Sequence, residues 1–168
     1  MNIELYPLEK VVIDGASIYL GMEQSAVESV IGKGELVGKR YYYYNSEMAI
    51  DYNDHQMVEF IEFLGGIDGN VQPKIYEKYA FKTKADDLFN ILCQNNCGDI
   101  DDNENGYSYS FLNISVGIYR SSTPENVQEM ITEAEENGEP METEEIEYEM
   151  KQANYWSTIG IGTEAYYR

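Results

Sequence analysis

Two stretches of this chain run on the same pattern 61 positions apart, and that internal repeat restricts the fold more than any other feature. LGMEQSAVESVIGKG (20–34) places Val27, Val30 and Ile31 at helical spacing, with Gly32 and Gly34 where a helix should stop. FKTKADDLFNILCQNN (81–96) repeats it: Leu20 matches Phe81, Val27 matches Leu88, Val30 matches Ile91 and Ile31 matches Leu92. Each helix is followed by a tyrosine-rich strand pair, now offset by 66, which matches Tyr41 to Tyr107 and Tyr43 to Tyr109. Met48, Ile50 and Tyr52 then match Ile114, Val116 and Ile118. The change of offset falls in the loop between helix and strand, where insertions cost little.

The repeat also reads the run of four tyrosines at 41–44. Neighbouring strand residues point to opposite faces. In YSYSF, Tyr107, Tyr109 and Phe111 alternate with Ser108 and Ser110, so the aromatic rings face the core and the serines face out. Carried back by 66, this predicts Tyr41 and Tyr43 inside and Tyr42 and Tyr44 on the open face of a sheet. Exposed tyrosines are favoured where interfaces gain their energy. Internal packing is the bland alternative for both rings.

The other elements fit around that unit. VVIDGASIYL (11–20) and PKIYEKYAF (73–81) read as extended entries to the helices. QMVEFIEFLGG (56–66) and YWSTIGIGTEAYY (155–167) close the two meanders. Between them lies an insertion, about 121–153, with no counterpart in the first half. Its first helix has Thr123 as N-cap, Pro124 at the first helical position and Glu125 in the first turn, with Val127, Met130, Ile131 and Ala134 as its apolar stripe. Gly138 and Pro140 end it, and a second helix follows with Ile146, Met150 and Ala153 as its weak face. The expected fold is α+β: two tandem helix-plus-antiparallel-meander repeats, 1–72 and 73–168, sheet packed on helices, in one compact unit with an acidic helical insertion in the second repeat.

Sixteen tyrosines supply much of the apolar bulk of the 168 residues, which itself favours strands. The formal charge is −20, from 31 acidic and 11 basic residues, and it is uneven. Residues 121–168 hold 12 acids and 2 bases, and 133–149 hold nine glutamates with no base. Such a field repels nucleic-acid phosphates and anionic membranes and draws basic partners. No basic segment followed by an apolar run opens the chain, and no stretch reaches the roughly 18 apolar residues of a membrane span. With only Cys93 and Cys97, a reduced, cytoplasmic location is expected.

Candidate chemistry is sparse. In DDNENG, Asp101, Asn103, Asn105 and Gly106 match positions 1, 3, 5 and 6 of a calcium loop, and Asp99 stands just before them. Asp99, Asp101, Asn103 and Asn105 are therefore the candidate metal ligands. Leu112 nevertheless occupies the twelfth position, where a bidentate glutamate belongs, and a polar turn entering a strand needs the same residue types. His55, the single histidine, sits in a turn near Ser46 and Asp54 without triad spacing. Cys93 and Cys97 are too few for a zinc site. No catalytic residue and no cofactor are expected.

LGMEQSAVESVIGKGELVGKRYYYY resembles the glycine-methionine start, isoleucine-glycine end and aromatic strand of the small lipoproteins of the outer-membrane barrel-assembly machinery. In tandem, over about this length, the unit is similar to the β-lactamase inhibitory protein fold. That resemblance implies joined sheets with a concave protein-binding face; it implies no catalytic residue. It covers most of 11–120 and, more loosely, 154–168, and carries no counterpart of the acidic insertion. Together these readings point to a non-enzymatic protein-binding or inhibitory module, such as a bacterial immunity protein against a basic toxin. Tyr42, Tyr44 and Asp51 on the sheet, and Glu142, Glu144 and Glu145 on the insertion, are the candidate partner-binding residues. A calcium- or ligand-responsive module and a structural or adaptor domain are the alternatives.

Overall fold

The computed structural model describes residues 1–102 and 104–168. The chain opens with three short strands, β1 (Ile3–Tyr6), β2 (Lys10–Ile13) and β3 (Ala16–Tyr19), then helix α1 (Gln24–Ile31). A meander follows: β4 (Glu35–Val37), β5 (Arg40–Tyr43), β6 (Met48–Tyr52) and β7 (Val58–Phe63). Next come β8 (Pro73–Ile75), β9 (Lys78–Tyr79) and helix α2 (Ala85–Asn96). A second meander begins with β10 (Ile100–Asp101), β11 (Ser108–Phe111) and β12 (Val116–Tyr119). Helices α3 (Pro124–Glu136) and α4 (Thr143–Asn154) interrupt it before β13 (Thr158–Gly162).

The segments read as extended entries are each a tight hairpin. Two residues connect β2 to β3, Asp14 at φ 47° and Gly15 at φ 85°; two connect β8 to β9, Tyr76 at φ 46° and Glu77 at φ 66°. Paired positive φ values twist a two-residue turn in the sense that flanking strands require. Aspartate and glycine accept that conformation readily, tyrosine and glutamate do not, so periodicity alone hid the second turn. These hairpins flank β1 in a five-stranded sheet of order β3-β2-β1-β8-β9, with β1 antiparallel to β2 and parallel to β8.

The meanders join edge to edge through an antiparallel β7–β13 pair, which makes one eight-stranded sheet of order β10-β11-β12-β13-β7-β6-β5-β4. One row of directly opposed residues crosses all eight strands as Ile100, Phe111, Val116, Ile161, Ile61, Ile50, Tyr41 and Leu36. The adjacent row, on the other face, reads Asp101, Ser110, Gly117, Gly160, Glu62, Ala49, Tyr42 and Glu35. An apolar row beside a polar and small one leaves a single way to bury the sheet.

The apolar face meets α1, α2 and the inner side of the five-stranded sheet in one continuous core. Val27 and Leu88, the matched centres of α1 and α2, are fully buried, as is Leu92. Phe89 carries α2 onto the sheet with ring centroids 4.6 Å from Tyr109 and 5.6 Å from Phe111. Val30 departs from expectation: it is 38% exposed, so the buried stripe of α1 is narrower than its sequence pattern. Gly32, at φ 82°, ends α1 as expected. Gly34 serves packing instead, since a Cβ there would stand 2.8 Å from Cε2 and Cζ of Tyr43.

Helices α1 and α2 begin 61 residues apart, at Gln24 and Ala85. The strands, however, begin at Arg40 and Ser108 and at Met48 and Val116, both 68 apart rather than 66. A two-residue slip preserves which face a strand residue occupies. It changes the partners, setting Tyr41 against Tyr109 and Tyr43 against Phe111.

In the stretch between β12 and β13, Thr123 caps α3, its Oγ1 accepting from the Asn126 N–H at 3.1 Å, with Pro124 in the first turn. Val127 and Ala153 are buried, while Met130, Ile131, Ala134, Ile146 and Met150 are half-buried. The exit from α4 is anchored by buried Trp156, whose Nε1–H donates to the Ala85 carbonyl at 2.9 Å. Arg120 lies over that indole at 4.7 Å and donates to the carbonyls of Gly106 (2.9 Å) and Ala153 (2.8 Å). Among the described residues no helix is long and apolar enough to cross a membrane.

Candidate functional site

The polar row makes the outer face of the eight-stranded sheet. Its centre is an ion cluster: Arg40 spans Asp51 through Nε (2.8 Å) and Nη2 (3.0 Å) and meets Glu62 through Nη1 (2.6 Å). Burial works against the guanidinium charge, yet the two carboxylates hold Arg40 above its ordinary pKa. One cation between two anions leaves the cluster with a surplus negative charge. Asp51, a candidate partner-binding residue, accepts from Arg40 through both carboxylate oxygens.

Beside the cluster the lack of side chains at Gly117, Gly160 and Gly162 leaves a trough. Phe60 lies across Gly160, and the segment after β13 turns back so that Tyr166 stacks on Phe60 at 4.4 Å with planes 3° apart. Tyr167 meets Phe60 edge-on at 6.0 Å, and its hydroxyl rests over Gly117. Burial first, then Tyr166 and Glu62, push the Tyr167 hydroxyl pKa well upward. Between Tyr167 and β11 the trough stays open as a groove of about 160 Å³ lined by Glu62, Ser108, Ser110, Gly117, Tyr119 and Thr158.

The four tyrosines divide differently from expectation. Tyr43 is buried and Tyr41 half-buried against the core, its ring edge-on to Tyr52 at 5.4 Å. Tyr42 lies on the outer face and is half-buried. Tyr44 is the correction. Strand β5 ends at Tyr43, and Tyr44 enters the turn at φ 52°, which swings its ring back onto the core. Burial raises its pKa. Alternation of facing ends where the strand ends, at Tyr43. Buried Tyr43 and Tyr52 hydroxyls lie near one another without hydrogen-bonding geometry, and burial raises both pKa values.

Glu142, Glu144 and Glu145 are exposed at the N-terminal end of α4, where the helix dipole favours negative charge without any partner. Of the nine glutamates in 133–149, only Glu149 is not exposed. Glu133, Glu139 and Glu145 rim an open groove of about 350 Å³ between α3 and α4, with Met130, Ala134 and Met141 among its lining.

The acidic loop is tied internally. Asp99 is exposed and its carbonyl accepts from the Asn96 side chain and the Leu112 N–H; Asp101 belongs to β10, paired with Ser110. Asn105 sits in a turn at φ 49°, closed by Asp102 Oδ1 accepting from the Gly106 N–H at 3.1 Å. Asn103 lies outside the described residues. Among the described residues no three His, Cys, Asp or Glu side chains converge on a common metal position. His55 is exposed in the β6–β7 turn, and the two cysteines are unbridged.

A second aromatic surface escaped the sequence reading. On the outer face of the five-stranded sheet Tyr6, Lys10 and Tyr19 stand directly opposite one another, with Lys10 Nζ 5.6 Å and 5.2 Å from the two ring centroids. Tyr6 and Tyr19 are 42% and 45% exposed, more open than any ring in the four-tyrosine run. They belong to four-residue strands, too short for alternation to stand out from background. Comparisons with known protein families, curated proteins and solved structures find no significant match.

Proposed function

We propose that this chain is a non-enzymatic protein-binding module that neutralises a basic partner, in the manner of a cytoplasmic immunity protein against a basic toxin. The observation that carries the reading is the exposure of eight glutamates along α3 and α4, with no base in 133–149, around a groove with apolar lining. Like charges so arranged repel one another and are relieved when a cationic surface arrives; the same field speeds its association. The helices supply attraction, and the outer sheet face, with Tyr42, the Arg40–Asp51–Glu62 cluster and the Tyr166–Phe60 stack, supplies contact.

The architecture supports this mode by analogy. We read the two meanders, with their mirrored strand order about the β7–β13 pair, as a tandem duplication, as the resemblance to β-lactamase inhibitory protein implies. Only the mode of capture by a sheet face carries over.

The test is affinity capture from the source cells at about 50 mM and about 500 mM salt, with Debye lengths of roughly 14 Å and 4 Å. It compares the native chain with the Glu142→Gln/Glu144→Gln/Glu145→Gln variant. A basic protein retained at low salt by the native chain and weakened by both salt and substitution is expected. Recovery of no partner, or of one indifferent to both, refutes the reading.

A further inference from the structure

We propose that the open groove over β11, β12 and β13 is a receptor slot for one cationic side chain, a lysine or arginine presented by the basic partner; the inference rests on the reading above. Size selects the ligand. A groove of about 160 Å³ lies below the roughly 300–1,000 Å³ of small-molecule sites but holds one long side chain.

Chemistry selects the charge. Glu62 lines the slot, and the cluster it shares with Arg40 and Asp51 keeps one uncompensated negative charge. Ser108, Ser110 and Thr158 line it with hydroxyls, each of which can accept from a cation's N–H. Tyr119 and Tyr167 contribute rings within reach of the same space, and a cation near an aromatic face is attracted by its quadrupole. No Lys or Arg lines the slot, so an anion would find only hydroxyl donors.

The slot also sits where a basic partner would be guided. Tyr119 and Thr158 are cross-strand partners, and the segment carrying α3 and α4 leaves the sheet after the one and returns before the other. The acidic helical pair therefore springs from the rim of the slot.

The test uses the native chain and two probes, N-acetyl-arginine amide and its neutral isostere N-acetyl-citrulline amide, with amide shifts followed by NMR. The arginine probe should saturably shift Ser108, Ser110, Gly117 and Thr158, with a Kd in the millimolar range expected for one side chain, and at least about tenfold more tightly than citrulline. Ser110→Val, which fills the slot from a half-buried strand position, should abolish those shifts; Glu62→Gln should weaken them about tenfold. Equal response to both probes, or shifts confined to the α3–α4 glutamates, overturns the slot while leaving the basic-partner reading intact. Slot binding that persists when capture of a basic partner fails overturns the capture reading alone.

Discussion

Gly117→Ala gives a sharp test of how the outer face is packed, because its effect should change sign with the residue above it. A Cβ at 117 would overlap the Tyr167 hydroxyl and stand 2.7 Å from Cζ and 3.3 Å from Cε1. The ring is carried by the turn segment after β13, outside any strand, and can lift away, so the cost is its lost burial rather than backbone strain. Full burial of a large side chain is worth about 1.5–3 kcal/mol, and half-buried Tyr167 has about 1–2 kcal/mol to lose. Against that, alanine in a strand gains about 0.5–1 kcal/mol over glycine. Gly117→Ala should thus destabilise the native chain by about 0.5–1 kcal/mol, and stabilise Tyr167→Ala by about 0.5–1 kcal/mol. The coupling of about 1–2 kcal/mol is what a double-mutant cycle reads. In thermal unfolding a chain of this length shifts by roughly 2–4 °C per kcal/mol, so the opposite signs separate clearly. If Gly117→Ala stabilises both backgrounds equally, Tyr167 does not occupy the trough and the slot beside it is misdrawn.

Asn96 should prove a stability hot spot. Buried at the end of α2, its Oδ1 accepts from the N–H of Asn113 (2.8 Å) and Ile114 (3.3 Å), and its Nδ2 donates to the Asp99 carbonyl (3.0 Å). Asn96→Ala should cost about 2–4 kcal/mol in urea unfolding, and a loss below about 1 kcal/mol contradicts this hub. Cys97, which follows in a left-handed conformation at φ 49°, should tolerate glycine with a gain of about 0.5–1 kcal/mol; a loss would show that its thiol matters more than its backbone. Alkali should unfold the protein cooperatively. Burial raises the folded-state pKa of Tyr43, Tyr52 and Tyr167 above 10.0, so the unfolded chain releases those protons first. Their contribution is complete below pH 10 and falls as pH rises through the folded values. Tyrosinate absorbance and circular dichroism should change together, and early independent titration of every tyrosine would count against burial of these three.

Much of the local architecture was legible because it depends on local chemistry. Thr123–Pro124 signals a helix start through its own capping chemistry, and the four-residue spacing of Leu88 and Leu92 marks a buried helix stripe before any partner is known. The alternation of Tyr109 and Phe111 with Ser108 and Ser110 likewise named the sheet face that would be covered. Tyr44 and Val30 mark where that reasoning ends: a strand stops one residue early, or a helix meets a narrower partner, and the side chain changes role.

The candidate site was scarcely legible. Arg40, Asp51 and Glu62 are separated along the chain and become an ion cluster only when β5, β6 and β7 align. Phe60, Gly117 and Tyr167 form one trough only because β13 pairs with β7 and the chain then doubles back. The sequence by itself determined the helices, the core-facing side of β11 and the concentration of negative charge in the last third, since periodicity, capping and composition act over a few residues. The tertiary structure alone decided the single eight-stranded sheet, the two tight hairpins and the packing of the outer sheet face. Cross-strand register and tail docking are chosen by the total fit of surfaces distant in sequence.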